Sequence, residues 1–290
     1  MLKAYKKITL WITLCVSFIG LLLIMSSKIT TIFNVIATTE RIEFIIVDNN
    51  HSSWNFDGVN LLDLNGKIIK TNFSGTINLL IGNTVRIDRY GNGPAYISIQ
   101  NIEDLPIGKV STDEGRILEC GDKSFIEIVI DNINSKSNKG ITHTLPIKGF
   151  VTLGGDVDYE INGEAPAVLK NGTINMQGFS TFRKDNFFPA GEEHLKLGDE
   201  LRFDNNELAV GFAHIGEISG IEVSYRVEAK EATIIKSGPV KNGYKISATL
   251  LDELLNDRLF QTISIFCGFL LVLTTLLSSI LDLYKYFNGK

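Results

Sequence analysis

The chain has 290 residues, a formal net charge of −5 and 44% hydrophobic side chains. The mild acidity, without a basic run in the long middle region, excludes nucleic-acid contact by that region. Three cysteines, of which only Cys120 lies outside the apolar runs, exclude an intrachain disulfide framework, so a region of more than two hundred residues must fold on its own core.

Lys3, Lys6 and Lys7 precede an apolar run from Ile8 to Met25. The run is long for the core of a cleaved secretory signal. Ser26-Ser27-Lys28 lacks a small-x-small cleavage pattern, and Leu14 before Cys15 does not suit a lipoprotein signal. Residues 8–28 are therefore read as an uncleaved transmembrane helix, with residues 1–7 on the cytoplasmic side.

Residues 29–249 read as an extracytoplasmic, β-rich region. Period-two alternation marks strands at Ile42, Phe44, Ile46; at Ala95, Ile97, Ile99; at Ile126, Ile128, Ile130; and at Ile221, Val223, Tyr225, Val227, Ala229 against Glu222, Ser224, Arg226, Glu228, Lys230. After Lys230 the parity shifts to Ala232 and Ile234, which predicts a bulge or a move to another sheet. Asn65-Gly66, Asn162-Gly163, Asn171-Gly172 and Asn242-Gly243, with Gly82-Asn83, predict two-residue hairpins, whose turns need positive φ. The polar stretch 131–140 is a possible seam between two β units. The fold class is mainly β: an antiparallel, β-sandwich-like region of one or two units held between N- and C-terminal transmembrane helices.

Gly178 to Glu200 lacks alternation and mixes aromatic with charged residues, so Phe179, Phe182, Arg183, Phe187, Phe188 and His194 form a candidate recognition loop, its rings supplying contact area and its charges selectivity. The competing reading has the phenylalanines closing an open end of the β core.

Thr249 and Asp252 have capping-box spacing ahead of Leu250-Leu251-Asp252-Glu253-Leu254-Leu255, and the apolar run Phe260 to Leu281 carries no charge. Residues 250–259 are read as a helical stalk, 260–283 as a second transmembrane helix and 284–290 as a cytoplasmic end. The expectation is one uninterrupted helix from Leu250 to Tyr286, about 55 Å long at ~1.5 Å per residue against a bilayer core of ~30 Å. Lysines cluster before the first span and after the second, which places both termini in the cytoplasm. Small and hydroxyl residues line one face of each span, Thr9, Thr13, Ser17 and Gly20 on the first and Ser264, Gly268, Thr275 and Ser279 on the second. Such stripes suit close packing, between the spans or between copies of the chain.

No catalytic, cofactor or metal motif is present: there is no H-E-x-x-H, G-x-S-x-G, P-loop or dinucleotide fingerprint, and His51, His143, His194 and His214 have no ligand spacing. Asp63-Leu64-Asn65-Gly66 lacks a first oxygen ligand at Leu61 and reads as a hairpin instead of a calcium loop. The layout of span, outer β region and span resembles that of some membrane signal peptidases. Here, however, Ser26 and Ser27 are followed by Lys28 and Ile29, without the Met-x-Pro of their motif. In topology alone the chain also resembles small two-pass proteins that accompany bacterial antiphage systems such as retrons.

The expected function is that of a two-pass inner-membrane protein, not an enzyme, with a periplasmic binding or sensor module coupled to its second span. Its partners would be the membrane, in which it is integral, and a protein partner or further copies of itself met through the spans. The alternatives are a membrane-perturbing antiphage effector and a periplasmic enzyme without a recognisable motif.

Overall fold

Along Ile221–Ala229 the side chains of Ile221, Val223, Tyr225, Val227 and Ala229 are buried while those between them face outward, and the same alternation recurs along Ala95–Asn101 and His143–Leu153. The computed structural model describes residues 16, 18–20, 23, 25–48, 52–131, 143–155, 168–181, 183, 186–203, 207–216, 219–237 and 242–288. In chain order the strands are β1 (Thr31–Thr39), β2 (Arg41–Ile46), β3 (Ser53–Leu62), β4 (Ile68–Leu79), β5 (Asn83–Asp88), β6 (Ala95–Asn101), β7 (Gly108–Thr112), β8 (Ile117–Leu118) and β9 (Phe125–Ile130). They continue with β10 (His143–Leu153), β11 (Leu169–Phe179), β12 (Phe187–Leu195), β13 (Glu200–Phe203), β14 (Ala209–Ile215), β15 (Ile221–Ala229), β16 (Ala232–Ile235) and β17 (Gly243–Ile246). Two helices come after them, α1 (Leu250–Asn256) and α2 (Arg258–Asn288).

The chain divides into two compact units. A β unit comprises residues 30–177 and 191–247, and a second unit comprises residues 1–29, 178–190 and 248–290.

The β unit is mainly antiparallel β, its strands joined in one open sheet. One ladder path runs β8, β7, β4, β3, β9, β6, β5, β2, β10. From β10 it continues through β14, β15 and β1, with β11 beside β1, while β13, β16 and β17 branch from the far end of β10. The parity shift after Lys230 has its cause here, because β15 pairs with β14 and β1 whereas β16 pairs with β13.

Strand β10 joins the strands on the N-terminal side of residues 132–142 to those on the C-terminal side. Those residues, and with them most of the expected seam, lie outside the described residues, yet the ladder crosses without interruption. Gly149 faces Ile46 of β2 on one side and Ala209 of β14 on the other. A Cβ at Gly149 would overlap the carbonyl of Ile45, so only glycine allows this approach.

The Asn-Gly signals divide. Asn65-Gly66 does turn β3 into β4: Gly66 has φ 72, and the Asp63 carboxylate accepts from the amides of Asn65 and Lys67 at 3.0 and 2.9 Å. Gly82, φ 90, likewise turns β4 into β5. Asn171-Gly172 is no hairpin and lies inside β11, where the glycine answers crowding: a Cβ there would stand 2.6 Å from the Cβ of Ala37 and 3.0 Å from the Ile36 carbonyl oxygen. Asn242-Gly243 marks the start of β17 at the end of a longer connection, closed by the Lys236 amide donating to the Asn242 carbonyl at 3.2 Å. Asn162-Gly163 lies outside the described residues.

In the second unit, residues 16, 18–20, 23 and 25 are helical, and the Ser26 hydroxyl donates to the Leu23 carbonyl at 2.9 Å where that helix stops. The chain then runs antiparallel to the segment entering α1. Lys28 bridges Thr249, the Ile29 amide donates to Ala248 at 3.0 Å, and the Leu250 amide donates to Ser27 at 3.1 Å. Residues 26–28 thus leave the helix that the first span was expected to hold them in.

The expected single helix from Leu250 onward is interrupted. Asp257 has φ −79 and ψ 118, outside the helical region. Its amide donates to the Leu254 carbonyl at 3.2 Å, ending α1, and its carboxylate accepts from the amides of Leu259 and Phe260 at 2.7 and 3.2 Å, opening α2. An aspartate at this place competes with helix continuation because its side chain satisfies amide donors that an upstream carbonyl would otherwise take. Among the described residues one helical stretch, Arg258–Leu277, is long and apolar enough to cross a bilayer, and none of it is buried against the protein.

Candidate functional site

The second unit is organised by the hairpin tip between β11 and β12. The Ser180 amide donates to the Asn186 carbonyl at 2.9 Å and the Arg183 amide to the Ser180 hydroxyl at 3.0 Å, so the tip is folded on itself. Around its base the rings of Phe179 and Phe187 lie 4.8 Å apart. The Phe188 ring fills the space that a side chain on Gly178 would need.

This tip grips α1. The helix is opened by the expected capping box: the Asp252 amide donates to the Thr249 hydroxyl at 3.3 Å, and the Thr249 amide donates to the Asp252 carboxylate at 2.8 Å. One residue further on, the Glu253 carboxylate is buried, and it accepts from the Ser180 hydroxyl at 2.5 Å and the Thr181 amide at 3.0 Å. Both carboxylate oxygens are thereby engaged, which is what burial of a charge requires. The Asn256 amide side chain donates to the Pro189 carbonyl at 2.9 Å, and Arg183 pairs with Asp257 at 3.0 Å. Polar contacts from one tip therefore meet the last turns of α1 and the residue where the helix breaks.

The recognition-loop residues take different places. Phe187 is half exposed, whereas Phe188 is only 8% exposed, which corrects the expectation that both rings stand free as anchors. Arg183 is committed to Asp257, and Phe182 lies outside the described residues. His194 belongs to the β unit, on β12, and lines a groove of about 560 Å3 there.

That groove is formed by β11 and β12 together with the outer faces of β1, β15 and β14. Thr38, Glu222, His214 and Thr144 make one cross-strand row, and Ile36, Ser224, Phe212 and Pro146 make the next. His214 Nδ1 lies 3.0 Å from the Thr144 hydroxyl. No group of three or more potential metal ligands converges anywhere among the described residues.

Of the proposed span-packing residues, Thr9, Thr13 and Ser17 lie outside the described residues. Gly20 and Gly268 face open space, with nothing within 4 Å of a Cβ built on either beyond their own helices. Ser264, Thr275 and Ser279 are exposed on α2, and the hydroxyls of Thr275 and Ser279 bond back to their own helix.

Two structural residues escaped sequence reasoning. Glu253 reads as an ordinary polar helix position because its partners lie some seventy residues upstream. Arg89, fully buried, donates to the carbonyls of Gly93, Gly216 and Gly220. Its position after Asp88 at a strand end carries no local signal.

No protein-family model, curated protein or solved structure matches the chain.

Proposed function

We propose that this chain is a two-pass inner-membrane protein with a periplasmic, sandwich-like β module that binds a ligand or partner and passes its state to the second span. In this reading both termini are cytoplasmic, and the role is binding, not catalysis. The observation that carries it is the grip of the 178–190 tip on α1 immediately before the apolar helix. The hairpin that supplies the tip also supplies, through Asn171–Thr173 and His194–Leu195, one wall of the groove. A ligand that shifts β11 or β12 would act on the contacts of Ser180 and Thr181 with Glu253. Transmission of this kind works through a jointed connection instead of a rigid continuous rod, the tip holding the segment just ahead of the Asp257 break.

The test combines topology with membrane integrity in a bacterial host. A periplasm-only reporter inserted at Gly140 should be active and one fused at Lys290 inactive, and propidium iodide should stay out of cells expressing the full chain. The opposite reporter pair would overturn the topology. Dye entry on expression would replace the sensor with the membrane-perturbing effector.

A further inference from the structure

The groove of the β unit, about 560 Å3, falls within the size range of small-molecule sites, and its lining restricts what it can hold. Among the described residues no lysine or arginine lines it, and Glu222 contributes a carboxylate that has no ion-pair partner among them. Anionic ligands such as phosphates and carboxylates are therefore disfavoured, since each would meet a like charge with no compensating cation. Ile36 and Phe212 are 57% and 56% exposed, and they flank Ser224 in one cross-strand row. A lipid chain would cover these but would also strip water from the adjoining Thr38 hydroxyl and Glu222 carboxylate, leaving both unpaired at a cost that the two apolar side chains do not offset.

The remaining polar chemistry is mixed and uncommitted. Thr38, Asn171, Thr173, His194 and Ser224 make no side-chain hydrogen bond with other described residues, so the groove presents both donors and acceptors around an aromatic face. A pyranose ring matches this inventory: one face is C–H, and the rim carries hydroxyls that each donate and accept. We propose that the groove binds a neutral saccharide, with the C–H face of a ring lying on Phe212, a hydroxyl donating to Glu222, and Asn171 and His194 bonding the outer hydroxyls. This deepens the binding-module reading and rests on it, while its test is a direct binding measurement that is independent of topology and dye entry.

The experiment uses the full chain purified in a polyoxyethylene-ether detergent, because sugar-headed detergents would compete. Maltotriose, cellotriose and triacetylchitotriose are each titrated by calorimetry at millimolar concentration. One of the three should bind, and Phe212→Ala and Glu222→Gln should each weaken it by at least about tenfold without moving the thermal midpoint. Both residues are outward-facing, so folding should survive. Ile36→Ser, on the same face, is the substitute if either variant melts early. No binding by any of the three sugars, or binding undiminished by Phe212→Ala, overturns the proposal. So does displacement of the bound sugar by dodecylamine with equal sensitivity to Phe212→Ala, since the site would then be one for apolar amines.

Discussion

In the β unit most fully buried side chains are apolar, such as Phe33, Ile42, Phe44, Ile97 and Leu201, with the hydrogen-bonded Arg89 among the exceptions, whereas the buried residue of α1 in the second unit is a carboxylate, Glu253. The two regions are held by different physics. Apolar burial is roughly additive in area and indifferent to direction, so the sheet tolerates small displacements. The tip that meets α1 depends on directed hydrogen bonds to one buried charge, which weaken steeply with misalignment and become a liability if the partner leaves. A region built this way is suited to having two arrangements, made or unmade, where a packed sheet has one.

The largest effect should come from the apolar side. Phe33 is 0% exposed on β1, with its ring edge-on to Phe203 at 5.5 Å, and Phe33→Ala should cost about 3–5 kcal/mol. Thermal unfolding of the full chain, followed by the circular dichroism of its strands, measures this; a change within error would mean that β1 is not part of the cooperative core. Glu253→Ala removes the acceptor of two hydrogen bonds and should cost about 1.5–3 kcal/mol. That loss should be local. Hydrogen exchange at the Thr181 amide should accelerate while the midpoint of strand melting stays put, and an equal drop in both would show that the two regions unfold as one. The smallest effect belongs to Arg183→Ala. Its side chain is 53% exposed in the pair with Asp257, so the loss should be under about 1 kcal/mol and should vanish in high salt. A larger, salt-insensitive loss would mean that the Asp257 break needs the guanidinium to exist.

What the sequence made legible was local and periodic. The alternation of Ile221 to Ala229 records a strand with one wet face, and Thr249 with Asp252 records a helix start, because each signal is complete within a few residues. Asn171-Gly172 misled because a glycine that permits close approach of a neighbouring strand looks, in one dimension, the same as one that permits positive φ. The break at Asp257 was hidden by good helix formers on both sides, which outvoted a single capping carboxylate. Glu253, Arg89 and Gly149 were unreadable for a common reason: each is explained by partners far along the chain, and no window of sequence contains both halves of the explanation. Of the loop residues, Phe187 is half exposed and Phe188 buried, since adjacent residues of a strand face opposite sides, a distinction that a segment without alternation does not display.

The pairing of β1 with β15, Thr31 opposite Ala229 and Thr39 opposite Ile221, sets a schedule for the newborn chain. Thr31 to Thr39 is among the first parts of the sheet to be synthesised, yet both strands beside it come much later, β11 past the middle of the chain and β15 towards its end. Until the ribosome has passed β11 and then β15, the segment TIFNVIATT stands open on one or both of its edges, uncharged, rich in β-branched residues and without proline, which is the composition that templates intermolecular strands. Folding of this protein should therefore be limited by how long that stretch can be kept apart from other copies of itself. A holding chaperone at the site of emergence, or slow initiation that spaces the nascent chains, would raise its yield more than any gain in native-state stability.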